Sequence, residues 1–294
     1  MPQSRVPGEK LSATQPFPTR PAPFDLQGRT EAHLIDYTPE IRQRALQIAR
    51  DNNVLAPMFN PPTTFDDPAG PARVCPGDTG GVNITGPAVA DPVQGVIFIT
   101  SHSGCGSHSV MPASESPLNT PEQTGVTVSD WSANQGGRGG GRGRGGVTLD
   151  GLDIFKGPVG RISAIDLDTG EYLWVIPHGD APQAQQDAIR NHPLLQGVPN
   201  IDQIANRGRQ GHSAMVVSPN LLFASGMTAD NTPSLFAIDK RTGQRVGAVQ
   251  IPGPSNYGMS SWEHNGHQVI LVQLQSGLAA FGLPAAAPGV AEAH

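Results

Sequence analysis

The 294-residue chain has few charged and few aromatic residues, at 15% and 5% of the total. It contains no apolar run near the roughly 20 residues of a membrane-spanning helix, so no transmembrane segment is expected. The opening residues MPQSRVPGEK lack the apolar core of a secretory signal, which predicts a cytoplasmic protein for the chain as written. A net charge of −6 disfavours nucleic acid and anionic membranes as partners, because both repel an acidic surface.

Cysteine is also scarce, with only Cys75 and Cys105 in the chain. The two could form one disulfide in an oxidising compartment or stay as two buried thiols, and the sequence is compatible with both. In SHSGCGSHS, His102, Cys105 and His108 are residue types that bind zinc. Their spacing in a Gly/Ser loop matches no zinc-finger pattern and no second cysteine pair follows, so we predict no metal site here.

Glycine and proline are abundant instead, at 36 and 29 residues, which predicts many turns and few long helices. Short apolar runs separated by turn signals such as DPVQG, DTGE and DKRTGQ are typical of sequential antiparallel hairpins, so an all-β fold is predicted. The runs that predict strands are VIFIT at 96–100, RISAID at 161–166, YLWVI at 172–176, SAMVVS at 213–218, LLFAS at 221–225, SLFAID at 234–239 and QVILVQL at 268–274.

The N-terminal part of the chain has a different composition. Proline-rich text such as PTRPAPF cannot propagate a helix and predicts an extended arm. A short helix should follow, because apolar residues then recur at helical spacing behind a capping Thr38 and Pro39 at the first helical position. The predicted domains are the arm at 1–37, the helix with an apolar linker at 38–60, the strand domain at 61–284 and a disordered tail at 285–294.

The tract GGRGGGRGRGG at 136–146 lies within a predicted flexible loop at 134–147. It resembles RGG segments that bind RNA, but no Phe or Tyr is interleaved for base stacking and the chain is acidic. We therefore interpret it as a surface loop and not as a nucleic-acid site.

One motif occurs twice: AIDLDTG from Ala164 is echoed by AIDKRTG from Ala237. In each copy the aspartate can accept bonds from the amides of the turn, and the glycine supplies a positive φ. Asp166 and Asp239 occupy the same turn position, so both are interpreted as turn caps and not as an acid–base pair. Trp174 follows the first turn and offers a flat ring that can wedge between neighbouring sheets.

The pattern Ala-x-Asp-x-x-Thr-Gly-x-x-x-Trp at 164–174 resembles the tryptophan-docking motif of quinoprotein alcohol and sugar dehydrogenases, which are eight-bladed propellers carrying pyrroloquinoline quinone (PQQ) and calcium. The docking residues are then Ala164, Asp166, Thr169, Gly170 and Trp174. Further segments are similar to landmarks of that family, in its order: SATQPFPTRPAPFDLQG, TPEIRQRALQIAR, APMFNPP, GGVNITGPAVADPVQGVIFI, NHP at 191–193 and WEHNGHQVILV. The resemblance implies a partial β-propeller of four-stranded antiparallel blades, with the helix and the arm added.

The resemblance also implies which residues contact the cofactor. SATQPFP-like text lies near the middle of family members, so the chain is expected to be their C-terminal half. The calcium ligands and the catalytic base then belong to the N-terminal half, and no catalytic or metal residue is assigned here. Asn83 matches an asparagine that hydrogen-bonds the quinone, with Gly80 and Gly81 allowing close approach. Alternatively, Asn83 is only a turn residue, and Ile84 stands where relatives often have Trp.

The activity implied is oxidation of an alcohol or an aldose sugar in the periplasm, with hydride transfer to PQQ and a quinone or cytochrome as electron acceptor. Without the N-terminal blades we expect the chain to be inactive. The alternative is a non-catalytic propeller half that assembles with a separate chain or with itself, because an open propeller exposes strand edges and apolar faces.

Overall fold

A computed structural model describes residues 2–77, 81–82, 86–115, 131–133, 147–209, 211, 213–255 and 257–282. Gly80, Asn83 and the predicted tail lie outside these residues, as does the predicted Gly/Arg loop apart from its last residue.

The helices of the described residues are few and short. They are α1 (Pro39–Asp51), α2 (Gln183–Arg190) and α3 (Ile201–Ala205), with single 3₁₀ turns at Glu31–His33, Ala113–Glu115 and Pro193–Leu195. The predicted start of α1 is confirmed, because Thr38 Oγ1 accepts the Ile41 amide at 3.2 Å and Pro39 opens the helix. No described helix has the length and apolar character to cross a membrane.

Strands make up most of the regular structure. They are β1 (Thr63–Thr64), β2 (Ala72–Val74), β3 (Val89–Asp91), β4 (Val96–His102), β5 (Gly106–Pro112), β6 (Trp131–Ala133), β7 (Thr148–Leu149), β8 (Leu152–Asp153), β9 (Gly160–Asp166), β10 (Tyr172–Pro177), β11 (Met215–Val217), β12 (Leu221–Met227), β13 (Pro233–Asp239), β14 (Arg245–Gln250), β15 (Met259–His264), β16 (His267–Leu274) and β17 (Gly277–Gly282). Each run that the sequence marks as a strand coincides with one of them.

Three antiparallel sheets have the arrangement of propeller blades. The first blade has the order β3-β4-β9-β10 and the second the order β11-β12-β13-β14, whereas the third sheet has only β15-β16-β17. The predicted all-β fold with four-stranded antiparallel blades is thus confirmed. A long excursion separates β4 from β9. Its strands β5 and β6 join β1 and β2, which precede the first blade, in a further sheet where β1 runs parallel to β5, and it also contains the hairpin β7-β8.

The hydrophobic core has three parts. Phe98 and Ile162 of the first blade face Leu222 and Phe236 of the second in one cluster, and a second cluster lies between the second blade and the third sheet. A third cluster, outside the blades, joins α1, α2, α3 and the β7-β8 hairpin. Burying one such Phe or Ile side chain stabilises the fold by about 1.5–3 kcal/mol, so the first two clusters hold neighbouring blades together.

Candidate functional site

The turn that follows β9, in the first copy of the repeated motif, is closed by one carboxylate. Asp166 Oδ1 accepts the amides of Asp168 at 3.0 Å and Thr169 at 2.7 Å, and also the Thr169 hydroxyl at 2.9 Å. Gly170 follows with a φ of +69°, which a glycine adopts without strain. The Thr169 amide and hydroxyl hold the pKa of Asp166 below its ordinary value.

The second copy repeats this geometry. Asp239 Oδ1 accepts the amides of Arg241 at 2.9 Å and Thr242 at 3.0 Å, and the Thr242 hydroxyl at 3.1 Å. Gly243 has a φ of +72°. Because each carboxylate is engaged by its own turn, Asp166 and Asp239 have the geometry of turn caps and not of an acid–base pair.

Trp174 contacts the neighbouring blade. It stands on β10 opposite Ala164, and its indole Nε1 donates to the carbonyl of Lys240 at 2.8 Å. Its ring centre lies 5.7 Å from that of Phe98. A Cβ at Gly243 would lie 2.8 Å from the Trp174 ring, closer than real side chains approach. The tryptophan of the first blade therefore rests on the Asp-Thr-Gly turn of the second.

Lys240 makes a second connection between the same two blades. Its ammonium donates to Asp91 Oδ2 at the end of β3, and the two side chains are only 2% and 7% exposed. Asp91 Oδ1 also accepts the amides of Val93 at 2.9 Å and Gln94 at 3.2 Å. The Lys240 ammonium, with these two amides, holds the pKa of Asp91 below its ordinary value. Sequence reasoning missed this pair, since both residues lie in turn segments of ordinary composition.

Of the residues expected to contact the quinone, the structure describes Gly81. Its amide donates to His102 O at 2.9 Å and its carbonyl accepts the His102 amide at 3.2 Å, so its only N–H donor is already engaged. Its φ is +82°, and a Cβ there would find its nearest neighbour, a carbon of Pro76, at 3.6 Å. Among the described residues, a Cβ at Gly81 would thus be in ordinary contact with the Pro76 ring.

A disulfide joins Cys75 to Cys105, which decides between the two alternatives left open by the sequence. Gly77 N also donates to Gly104 O at 2.8 Å, so the segment before Gly81 is tied to the loop after β4. Cys105 consequently has no thiolate to offer a metal. Within the described ranges, no group of three or more His, Cys, Asp or Glu side chains is arranged to hold a metal ion.

The N-terminal arm is anchored next to the loop after β4 by a network of polar side chains. The sequence did not indicate this network. Asp25 Oδ1 accepts the Ser103 hydroxyl at 3.4 Å and lies 3.7 Å from the Arg161 guanidinium. Arg161 also donates to the carbonyls of Phe24 at 3.2 Å and Pro158 at 2.8 Å. The partners are far apart in sequence, so local spacing carries no signal for them.

Comparison with solved structures finds the same kind of protein twice. The chain is similar to a quinohemoprotein alcohol dehydrogenase from Pseudomonas putida HK5, at 14% identity and a TM-score of 0.40 over 72% of this chain and 25% of that one. It is also similar to the quinohemoprotein alcohol dehydrogenase of Comamonas testosteroni, at 14% identity and a TM-score of 0.39 over 75% of this chain and 28% of that one. The chain thus spans about a quarter of the length of these proteins.

No curated protein matches the chain significantly. The family model described as "PQQ: Glucose/ethanol/alcohol dehydrogenase, beta-propeller domain" matches residues 1–270. Because this match extends over most of the sequence, the chain belongs to the PQQ-dependent glucose, ethanol and alcohol dehydrogenase family, through its β-propeller domain.

Proposed function

We propose that the chain is the C-terminal part of a PQQ-dependent dehydrogenase that oxidises an alcohol or an aldose sugar. The family match over residues 1–270 carries this proposal. A periplasmic location, a calcium ion held by residues of an N-terminal half, and a quinone or cytochrome electron acceptor belong to the same proposal. So does the docking role of Ala164, Asp166, Thr169, Gly170 and Trp174, which the bond from Trp174 to Lys240 supports.

The residues proposed to face the cofactor are Gly80, Gly81 and Asn83. When bound, PQQ supplies the hydride acceptor of the reaction. Asn83 would donate a hydrogen bond from its amide, a group that does not titrate and so keeps its charge state at any working pH. Gly81, which has a φ of +82° and no side chain, would let the backbone approach the quinone closely. The disulfide between Cys75 and Cys105 would hold this segment against the end of β4.

An absorbance titration with PQQ in the presence of calcium tests the assignment. Wild type should show a saturable spectral change, and Asn83→Ala should bind at least about tenfold more weakly, the equivalent of one lost hydrogen bond. Asn220→Ala, at an exposed asparagine of a strand-connecting turn, is the matched control and should bind as wild type does. Equal affinities for wild type and Asn83→Ala would exclude Asn83 as a quinone contact.

The proposal further expects no dehydrogenase turnover by the chain alone. Supplying PQQ, calcium, an alcohol or glucose and an artificial electron acceptor should give no more reduction than the same mixture without protein. Robust turnover would mean that the catalytic base and the metal ligands are present in this chain after all.

A second candidate function, a non-catalytic propeller half that self-associates or binds a separate chain, is favoured by the third sheet. This sheet has three strands where the two blades have four, and β17 pairs only with β16 among the described strands. Trp262 and Leu278 are 44% and 67% exposed on it. Sedimentation velocity distinguishes the cases: self-association predicts a dimer or larger species that Leu278→Asp dissociates, whereas a monomer at every concentration excludes it.

A further inference from the structure

A cavity of about 230 Å³ lies between the N-terminal arm, the segment from Asp153 to Val159 and the start of β9. Its walls are unusually basic for a chain of net charge −6. The charged residues that line it are four cations and one acid: Arg29, Lys156, Arg161, Arg207 and Asp153.

Three of the four cations have a carboxylate partner: Lys156 with Asp36 at 2.7 Å, Arg207 with Asp153 at 3.1 Å and Arg161 with Asp25 at 3.7 Å. Arg29 is different. Within the part of the chain that the structure describes, its side chain makes no ion pair, and its Nε is buried without a hydrogen-bond partner. Arg29 is therefore the one cation of the cavity without a direct ion pair among the described residues.

The backbone and one aromatic ring fix the position of Arg29. Its amide donates to Ala56 O at 2.7 Å and its carbonyl accepts the Ala56 amide at 2.9 Å. The guanidinium carbon lies 4.0 Å from the centre of the Phe155 ring. Stacking of this kind restrains the planar guanidinium without using its N–H donors. Those donors are thus held in place before any ligand arrives.

This arrangement lowers the pKa values of two residues of the cavity, Arg29 and His33. Burial, with smaller contributions from the charges of Arg73 and Arg207, lowers the pKa of Arg29, and Asp153 opposes the shift. Burial also lowers the pKa of His33, another residue lining the cavity, and the positive charge of Arg29 adds to that effect. A partly buried cation without a direct ion pair is unfavourable, and an anion beside it would reduce the penalty.

We propose that this cavity binds a small oxyanion, a phosphate or a carboxylate group, through the guanidinium of Arg29. A guanidinium presents paired N–H donors that match two oxygens of such a group. The cavity volume is several times the roughly 30 Å³ of one water molecule, so the cavity has room for a phosphate and for some of the water molecules that hydrate it. The proposal is independent of quinone binding, since it uses none of the residues assigned to PQQ.

Thermal unfolding of the full chain tests the site, with inorganic phosphate and acetate as probes and with sodium chloride holding the ionic strength constant. At least one probe should raise the Tm of wild type saturably, by about 5 °C once it reaches about 100 times its Kd. Arg29→Gln should abolish the shift. Arg241→Gln removes the same charge from a side chain that is 81% exposed, and it should keep the shift.

Two further variants distinguish binding at Arg29 from a general effect of positive charge and from binding at the quinone segment. Arg29→Lys keeps the charge but loses the fork of donors, so its affinity should fall at least about fivefold. Asn83→Ala, which tests the quinone contact, should respond to phosphate as wild type does. The absence of any saturable shift in wild type would overturn the proposal whether or not Arg29→Gln folds. So would a shift that Arg29→Lys retains in full, or one that Arg241→Gln loses.

Discussion

Replacing Lys240 by methionine should weaken the contact between the first and second blades more than any surface substitution. The methionine has a similar length, so the change removes the ammonium and leaves most of the packing. Asp91 then keeps its two backbone amides at 2.9 and 3.2 Å but loses its counter-ion in a site where its side chain is 7% exposed. The variant thus leaves a buried carboxylate only partly compensated.

Breaking a buried ion pair by removing one partner costs about 3–5 kcal/mol, and the two remaining amides place Lys240→Met at about 3 kcal/mol. For a chain of this size that is a fall in Tm of about 5 °C. Asp91→Asn combined with Lys240→Met removes both charges. The double variant should recover part of the loss, with a coupling energy of about 2 kcal/mol.

Equilibrium unfolding in urea measures these free energies, with Arg44→Met as the matched control. Arg44 pairs with Asp150 at 2.7 Å, but the two side chains are 39% and 58% exposed, so the loss should be below about 1 kcal/mol. Equal losses for Lys240→Met and Arg44→Met, or strictly additive effects of the two changes at Asp91 and Lys240, would refute the reasoning that burial makes this pair important.

Three further predictions concern acid, glycine and the disulfide. The folded-state pKa of Asp91 lies below its ordinary value near 4. The difference in unfolding free energy between wild type and Lys240→Met should therefore be complete at neutral pH and should decrease as the pH falls below about 4. Gly243→Ala should cost about 2 kcal/mol more than Gly170→Ala in urea melts, since both have positive φ but only the first Cβ would meet a neighbour at 2.8 Å instead of 3.4 Å. Replacing Cys75 and Cys105 by alanine should cost about 3–4 kcal/mol, from the 30-residue separation that the bond closes; no change in the thermal midpoint would contradict this.

Local signals in the sequence were sufficient for much of the fold. The strand runs, the helix behind Thr38 and the two Asp-Thr-Gly turns depend on residues within a few positions of each other, so periodicity, capping and turn chemistry predict them. The Asp166 side chain accepts bonds from Asp168 and Thr169, two and three residues further along the chain. The seven-residue motif is therefore enough to predict the turn. The family resemblance rested on the order of such segments along the chain.

The contacts that depend on tertiary structure had no comparable signal. The chain returns after the excursion to pair β9 with β4, so β3, β4, β9 and β10 form one blade. Only this blade brings Asp91 to Lys240 and Trp174 to the turn of the next blade. The pairing of Cys75 with Cys105 was equally undecided, because two cysteines can bond or stay apart.

By itself, the sequence determined the longer apolar strands, the two Asp-Thr-Gly turns and helix α1, since these follow from short-range backbone and side-chain preferences. Only the tertiary structure decided which charges are buried together. It paired Lys240 with Asp91 and left Arg29 without a direct ion pair among the described residues, because ion pairs form between residues that meet through packing and not through spacing along the chain.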